Sequence, residues 1–200
     1  MKVKLINSIR SIAEMEYNAA YAMFTCYTNT NELQSEEPAT FVKRAIIKRA
    51  IKIGHESILE HIILTFEVND LSRACLQELA RHRYTSLIVE STCHTLKKNM
   101  QYGDISYWFP TDLPPEFVIA VENYLETLKE FVNECPEIPN DVLKYVIPEC
   151  VTTNLVLTIN VKELRHILKL RTSPAALQEF QNLAHKLFEA VPEDYRYMLE

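Results

Sequence analysis

The sequence has 200 residues, 48% hydrophobic and 24% charged, with only 2 glycines, a composition that supports a sizeable core and excludes collagen-like and disordered classes. Lysine and arginine number 21 against 27 aspartates and glutamates, a net charge of −6, so a general polyanion-binding surface and a nucleic-acid partner are not expected. No apolar run reaches the roughly 18 residues of a spanning helix and the N-terminus lacks the apolar stretch of a signal peptide, so a cytoplasmic protein with no membrane partner is expected.

Residues 3 to 6 read as a short strand, after which Ile12, Met15, Ala19, Met23 and Phe24 recur at helical spacing. Phe41, Val42, Ala45, Ile46, Ala50 and Ile53 mark a second amphipathic helix, with Lys43, Arg44, Lys48, Arg49 and Lys52 on its other face. Gly54 follows as a candidate C-terminal cap, within Gly54-His55-Glu56-Ser57 and Glu60-His61. From 62 to 68, Leu64, Phe66 and Val68 on one face alternate with Ile63, Thr65 and Glu67 on the other, as in a half-buried strand. Leu71, Cys75, Leu76, Leu79 and Ala80 restore the helical period, and that helix ends in Arg81-His82-Arg83.

A helix is expected after Pro114-Pro115, with Val118, Val121, Leu125, Leu128 and Val132 on one side. Residues 151 to 160 form the clearest strand: Val151, Thr153, Leu155, Leu157 and Ile159 alternate with Thr152, Asn154, Thr158 and Asn160. The next helix turns Val161, Leu164, Ile167 and Leu168 inward, and Arg171 continues that stripe. A last long helix, starting at Ser173-Pro174, buries Leu177, Phe180, Leu183, Leu187 and Val191. The Pro-rich stretch 110–115 is the nearest thing to a seam, so the expectation is one domain over 1–200 of the α+β class, several helices on a small, mainly antiparallel sheet.

Cys26, Cys75, Cys93, Cys135 and Cys150 are odd in number, widely spaced and without a Cys-x-x-Cys pair, which predicts reduced thiols. His55 and His61 lack metalloprotease spacing, and no structural metal is expected. Gly-rich phosphate loops and nucleophile elbows are absent. Arg81-His82-Arg83 stands out because three adjacent cationic groups repel one another and an anion would relieve them; a solvated basic helix end is the plainer alternative. Gly54 to Ser57 reads equally as a cap and turn, and Arg171 equally as a snorkelling residue of a last helical turn.

Together these residues resemble a family. Arg81-His82-Arg83, seven residues, then Ser91 is similar to the Arg-His-Arg-x7-Ser motif of the flavin-dependent thymidylate synthases. Gly54 to His61 resembles the family's Gly-His-(Glu or Ser)-(Ser or Thr)-x-x-Glu-His segment, Asn160 the start of its Asn-Ala-Arg-Ser segment, and Leu170-Arg171 its Leu-Arg ending. The likeness runs from about Cys26 to Phe188.

The resemblance implies a homotetramer with sites shared between subunits, holding FAD and dUMP, where NADPH reduces the flavin and methylenetetrahydrofolate supplies the methylene that makes dTMP. It places Arg81, His82, Arg83, Asn160, Lys162 and His166 at the flavin, with Ser57 touching FAD from another subunit. It places Glu78, Arg81, Ser91, Cys93, Lys144 and Arg171 at dUMP. Arg171 faces the pyrimidine and Ser91 lies close to the nucleotide, these two being the catalytic candidates, although Ser91 lacks an activating base and is not read as a nucleophile.

The departures fall on the nucleotide side. Cys93 stands where many members have a phosphate-binding arginine, Val89 where a glutamate is frequent, Glu78 where a glutamine is frequent, and Asn160-Val161-Lys162-Glu163 replaces Asn-Ala-Arg-Ser. Losing a charged phosphate contact costs roughly ten- to a hundredfold in affinity unless His94, Lys97 or Lys98 compensates. The alternative is therefore a degenerate relative that binds flavin or nucleotide without turnover. A weaker one is single-stranded nucleic-acid binding through residues 43–52 and 81–83, which the acidic total opposes.

Overall fold

A computed structural model of the chain describes residues 1–27, 40–102 and 105–200; the side chains of Phe24, Phe41 and Val42, assigned above to helix faces, lie outside the described set. Four strands form one antiparallel sheet in the order β1 (Lys2–Leu5), β2 (Ile63–Ser72), β4 (Thr152–Asn160), β3 (Thr85–Val89). The helices are α1 (Ile9–Tyr27), α2 (Thr40–Lys52), α3 (Arg73–Ala80), α4 (Thr92–Tyr102), α5 (Pro115–Glu134), α6 (Asn140–Leu143), α7 (Val161–Arg171) and α8 (Gln178–Ala190). The class is α+β, as the sequence predicts.

Alternation places the sheet's inner face. Leu64, Phe66, Val68, Leu155, Leu157 and Ile159 are buried in one cluster with Ile12, Leu79, Leu164, Phe180 and Leu187 from the helices, which is the period-2 stripe meeting the period-3.6 stripes. A second, smaller cluster joins Leu96 and Met100 of α4, Leu128 and Val132 of α5, and Leu143. β3 is a strand that the periodicity argument passes over, although Leu87 and Val89 pack on the core while Ser86 and Ile88 are exposed.

Two boundaries and one buried face differ from expectation. β2 continues through a bulge between Val68 and Leu71, where Asp70 takes a positive φ of 60°, so Leu71 and Ser72 are strand residues and α3 starts after them. Ser72 caps that helix: its hydroxyl accepts from the Cys75 N–H at 3.0 Å and donates to the buried Glu179 carboxylate. On α2 the inward face carries Lys43, Ile47 and Ala50, while Ala45 and Ile53 are exposed. The basic stripe is partly internal as a result, since Arg44 pairs with Glu16 at 3.6 Å and Lys48 lies over the Tyr197 ring. Finally, α8 begins at Gln178, with Leu177 as its N-cap and exposed; Ser173 and Pro174 belong to the preceding turn.

Gly54 closes α2 as expected. Its φ of +81° lets its N–H reach the Ile51 carbonyl and the His55 N–H reach Ala50, the paired bonds of a Schellman cap. All five cysteines are free thiols. No helix among the described residues is long and apolar enough to cross a membrane.

Candidate active site

The end of the sheet where β4 runs into α7 gathers most of the charged residues singled out above. Asn160 is the N-cap of α7, its side-chain oxygen accepting from the Glu163 N–H at 2.8 Å. That cap orients Glu163, whose carboxylate meets His82 Nδ1 at 3.1 Å. His82 directly follows the C-cap of α3 and is 6% exposed, with Phe180 edge-on at 5.7 Å and His166 at 6.0 Å.

Arg171, in the last turn of α7, lies over the Phe180 ring at 4.6 Å. Its Nε donates to His82 Nε2 at 3.1 Å and its NH1 group donates to Glu78 at 3.0 Å. Arginine has no acceptor, so His82 Nε2 must be the unprotonated nitrogen and Nδ1–H must donate to Glu163. His82 is therefore a neutral imidazole in one fixed tautomer. Its pKa is lowered, by burial first, with the neighbouring Arg171 adding to the effect against the opposing Glu163 hydrogen bond.

The Arg-His-Arg crowding is thus relieved within the chain. Arg81 and Arg83 are exposed, Arg81 meets Glu78 at 3.3 Å, and His82 turns inward without charge. The anion invoked to hold three charges together is not required for that purpose; Glu78 and Glu163 supply the compensation. Glu163 and Phe180 were not among the residues expected at a site, yet Asn160-x-x-Glu163 carries the spacing of a capping box, the one signal that could have found Glu163.

A cavity of about 1040 Å³ adjoins this cluster, lined by Asn160, Lys162, Glu163, His166, Tyr84 and Lys169 among others. Glu56 and Glu60 face it from the 3-10 turn Glu56–His61, and Lys162 is tied to Glu60 at 2.6 Å. Ser57 lies exposed in that turn. The cavity matches the upper end of ligand-site volumes, roughly 300 to 1,000 Å³, and Asn160, Lys162 and His166 present polar groups along it. Among the described residues His82, Glu163 and His166 bring possible metal-ligand atoms within 4.8 Å of one another. Both His82 nitrogens are already engaged, one of them by a guanidinium, which opposes a cation there.

The remaining candidates lie at the other end of the sheet. β3 pairs Thr85 with Ile159 at the His82 end and Val89 with Leu155 at the far end, four residue steps that span about 13 Å. Ser91 immediately precedes α4, its carbonyl accepting from His94 and Thr95. Cys93 is exposed in the first turn, and Lys144 Nζ donates to its Sγ at 2.6 Å while pairing with Asp141 at 3.2 Å. The cation that reaches Cys93 is therefore Lys144; Lys97, considered above as a replacement, is bound to the Pro136 carbonyl at 2.5 Å. Lys144 has a raised pKa through the Cys93 and Asp141 contacts. Ser91, Cys93 and Lys144 are brought together with one another, not with Arg171.

Fold and site define an α+β protein with a neutral histidine, an arginine stacked on a phenylalanine ring and a large cavity at one end of a four-stranded sheet. The profile of the thymidylate synthase complementing proteins matches residues 5–194, and the chain belongs to that family. It is 39% identical over 166 residues to the flavin-dependent thymidylate synthase of Campylobacter jejuni (strain RM1221), covering 79% of each chain. With the enzyme of Helicobacter pylori (strain ATCC 700392 / 26695) it shares 35% over 193 residues, 91% of each chain. The crystal structure of thymidylate synthase X from Helicobacter pylori with FAD and dUMP superposes with a TM-score of 0.81 at 31% identity, over 100% of this chain and 98% of that one.

Proposed function

We propose that this chain is a flavin-dependent thymidylate synthase, converting dUMP to dTMP with methylenetetrahydrofolate as the carbon donor and NADPH as the reductant. The observation that carries the reading is the Arg171 guanidinium, held on the neutral His82 and the Phe180 ring beside the large cavity. It belongs to a chain 31% identical to a protein crystallised with FAD and dUMP.

FAD, when bound, supplies the hydride chemistry. Lys162, His166 and Asn160 hold it along the cavity, with Arg81, His82 and Arg83 at its edge and Ser57 reaching it from another subunit. Arg171 faces the pyrimidine and stabilises negative charge developing on the ring, an effect that is large where the charge is fixed in place and water is excluded. His82, neutral and tautomerically fixed, keeps the guanidinium oriented without adding a competing charge. Ser91 and Lys144 bind the nucleotide, the Lys144 ammonium serving as a point charge for phosphate where Cys93 cannot. Glu78 lies at the same pyrimidine side through Arg171 and Arg81.

The placement of the two residue groups toward opposite ends of β3 supports sites completed by neighbouring copies, and the chain acts as a homotetramer of single-domain subunits in the cytoplasm. The test is to purify the protein, add FAD, and follow flavin absorbance together with tritium release from labelled dUMP in the presence of NADPH and methylenetetrahydrofolate. A yellow protein that releases tritium is expected. Protein without flavin absorbance overturns the reading. A flavoprotein that releases no tritium at any dUMP concentration is the binding-only relative that Cys93 favours.

A further inference from the structure

One carboxylate in the site is shared by two arginines. Glu78 offers one oxygen to Arg171 at 3.0 Å and the other to Arg81 at 3.3 Å. On Arg171 the Nε proton is bound to His82, one Nη1 proton to Glu78, and a face of the guanidinium is covered by Phe180, so three N–H donors stay open while the Glu78 carboxylate offsets the charge they carry. The two polar partners are not equally held. His82 is 6% exposed and locked by Glu163, whereas the Glu78 side chain is 32% exposed, and ion pairs open to water are weak and exchangeable.

We propose that Glu78 is a positioning residue that competes with the nucleotide for Arg171, so that substrate binding in this chain exchanges an internal ion pair for contact with the pyrimidine. The inference rests on the reading that Arg171 faces dUMP. In the ligand-free chain Glu78 keeps the guanidinium in place and offsets part of its charge. A pyrimidine oxygen, which becomes more anionic as the ring ionises, then displaces the solvent-facing partner and leaves the His82 contact intact. Glu78 thereby sets affinity through Arg171 rather than by touching the substrate.

The test is Glu78→Gln, which keeps the shape and an acceptor oxygen but removes the charge. In the FAD-loaded enzyme, titration with dUMP followed by the flavin spectrum should show binding about tenfold tighter than in the unmodified chain, and KM for dUMP should fall in the same ratio. Glu78→Ala should move both quantities in the same direction, which separates loss of competition from a special property of glutamine. Binding that is unchanged or weaker in both variants, at equal FAD content, overturns the inference while leaving the enzyme reading intact. An unmodified chain that holds neither FAD nor dUMP overturns both.

Discussion

Burial lowers the pKa of His82 and the adjacent Arg171 adds to it, while the Glu163 hydrogen bond acts in the opposite direction. An unfolded histidine titrates near 6.5, so below that pH the unfolded chain takes up a proton that the folded chain refuses. The unfolded state then binds more protons, and stability falls with acidification through the window between about 6.5 and the lower folded value. Above 6.5 the contribution is fully present. Denaturant midpoints should accordingly drop from pH 7.5 to pH 5.5, and His82→Asn should flatten that part of the profile. A slope unchanged by the substitution would assign the pH dependence to other groups. The same residue shows why local reading overstated charge: Arg81, His82 and Arg83 are neighbours in sequence, but the turn after α3 sends His82 inward and leaves both arginines outside.

Among the elements, the 3-10 turn that follows α2 forms the part of the cavity wall that carries Glu56 and Glu60. Gly54 makes that junction by adopting φ +81° where a side chain would find open space but a strained backbone. Gly54→Ala should therefore cost about 1 kcal/mol through the backbone alone, lowering Tm by roughly 2 to 4 °C. A calorimetric scan measures this, and a neutral result would show that the turn relaxes. Gly54 was legible in the sequence because a glycine directly after an amphipathic stripe is the residue that a left-handed helix cap prefers. The α2 face was not: an unbroken run of apolar and basic residues fits several rotations, and the choice fell to Lys43 beside the Tyr17 ring and Arg44 beside Glu16. The start of α8 was misplaced for a related reason. Ser173-Pro174 carries a start signal, yet the helix begins where Glu179 can accept the Ser72 N–H in the core.

At the scale of the whole molecule, Arg171 contacts His82 just before β3 while Ser91 follows that strand's far end, and on the proposed reading the two groups close on one nucleotide from neighbouring copies. Two variants divide the labour: Arg171→Ala removes one half-site and Ser91→Ala with Lys144→Met removes the other. Each alone should be strongly impaired in tritium release. Coexpressed hybrids should recover measurable turnover, because some sites then receive an intact half from each chain. No recovery in hybrids of confirmed mixed composition would show that both halves serve the same chain.

The α+β class, the main amphipathic elements and the family resemblance were determined by the amino-acid order itself. Periodicities of 2 and 3.6 express which faces must leave water, and Arg-His-Arg-x7-Ser with its companion segments is a pattern of residue types at fixed spacing. Only the tertiary structure decided which of the marked residues meet. Glu78 reaches Arg171 across 93 positions and Lys144 reaches Cys93 across 51, contacts that depend on how the helices pack and leave no periodic trace. The charge state of His82 belongs to the same class, because it depends on burial and on a guanidinium contributed by α7, a helix far along the chain from α3.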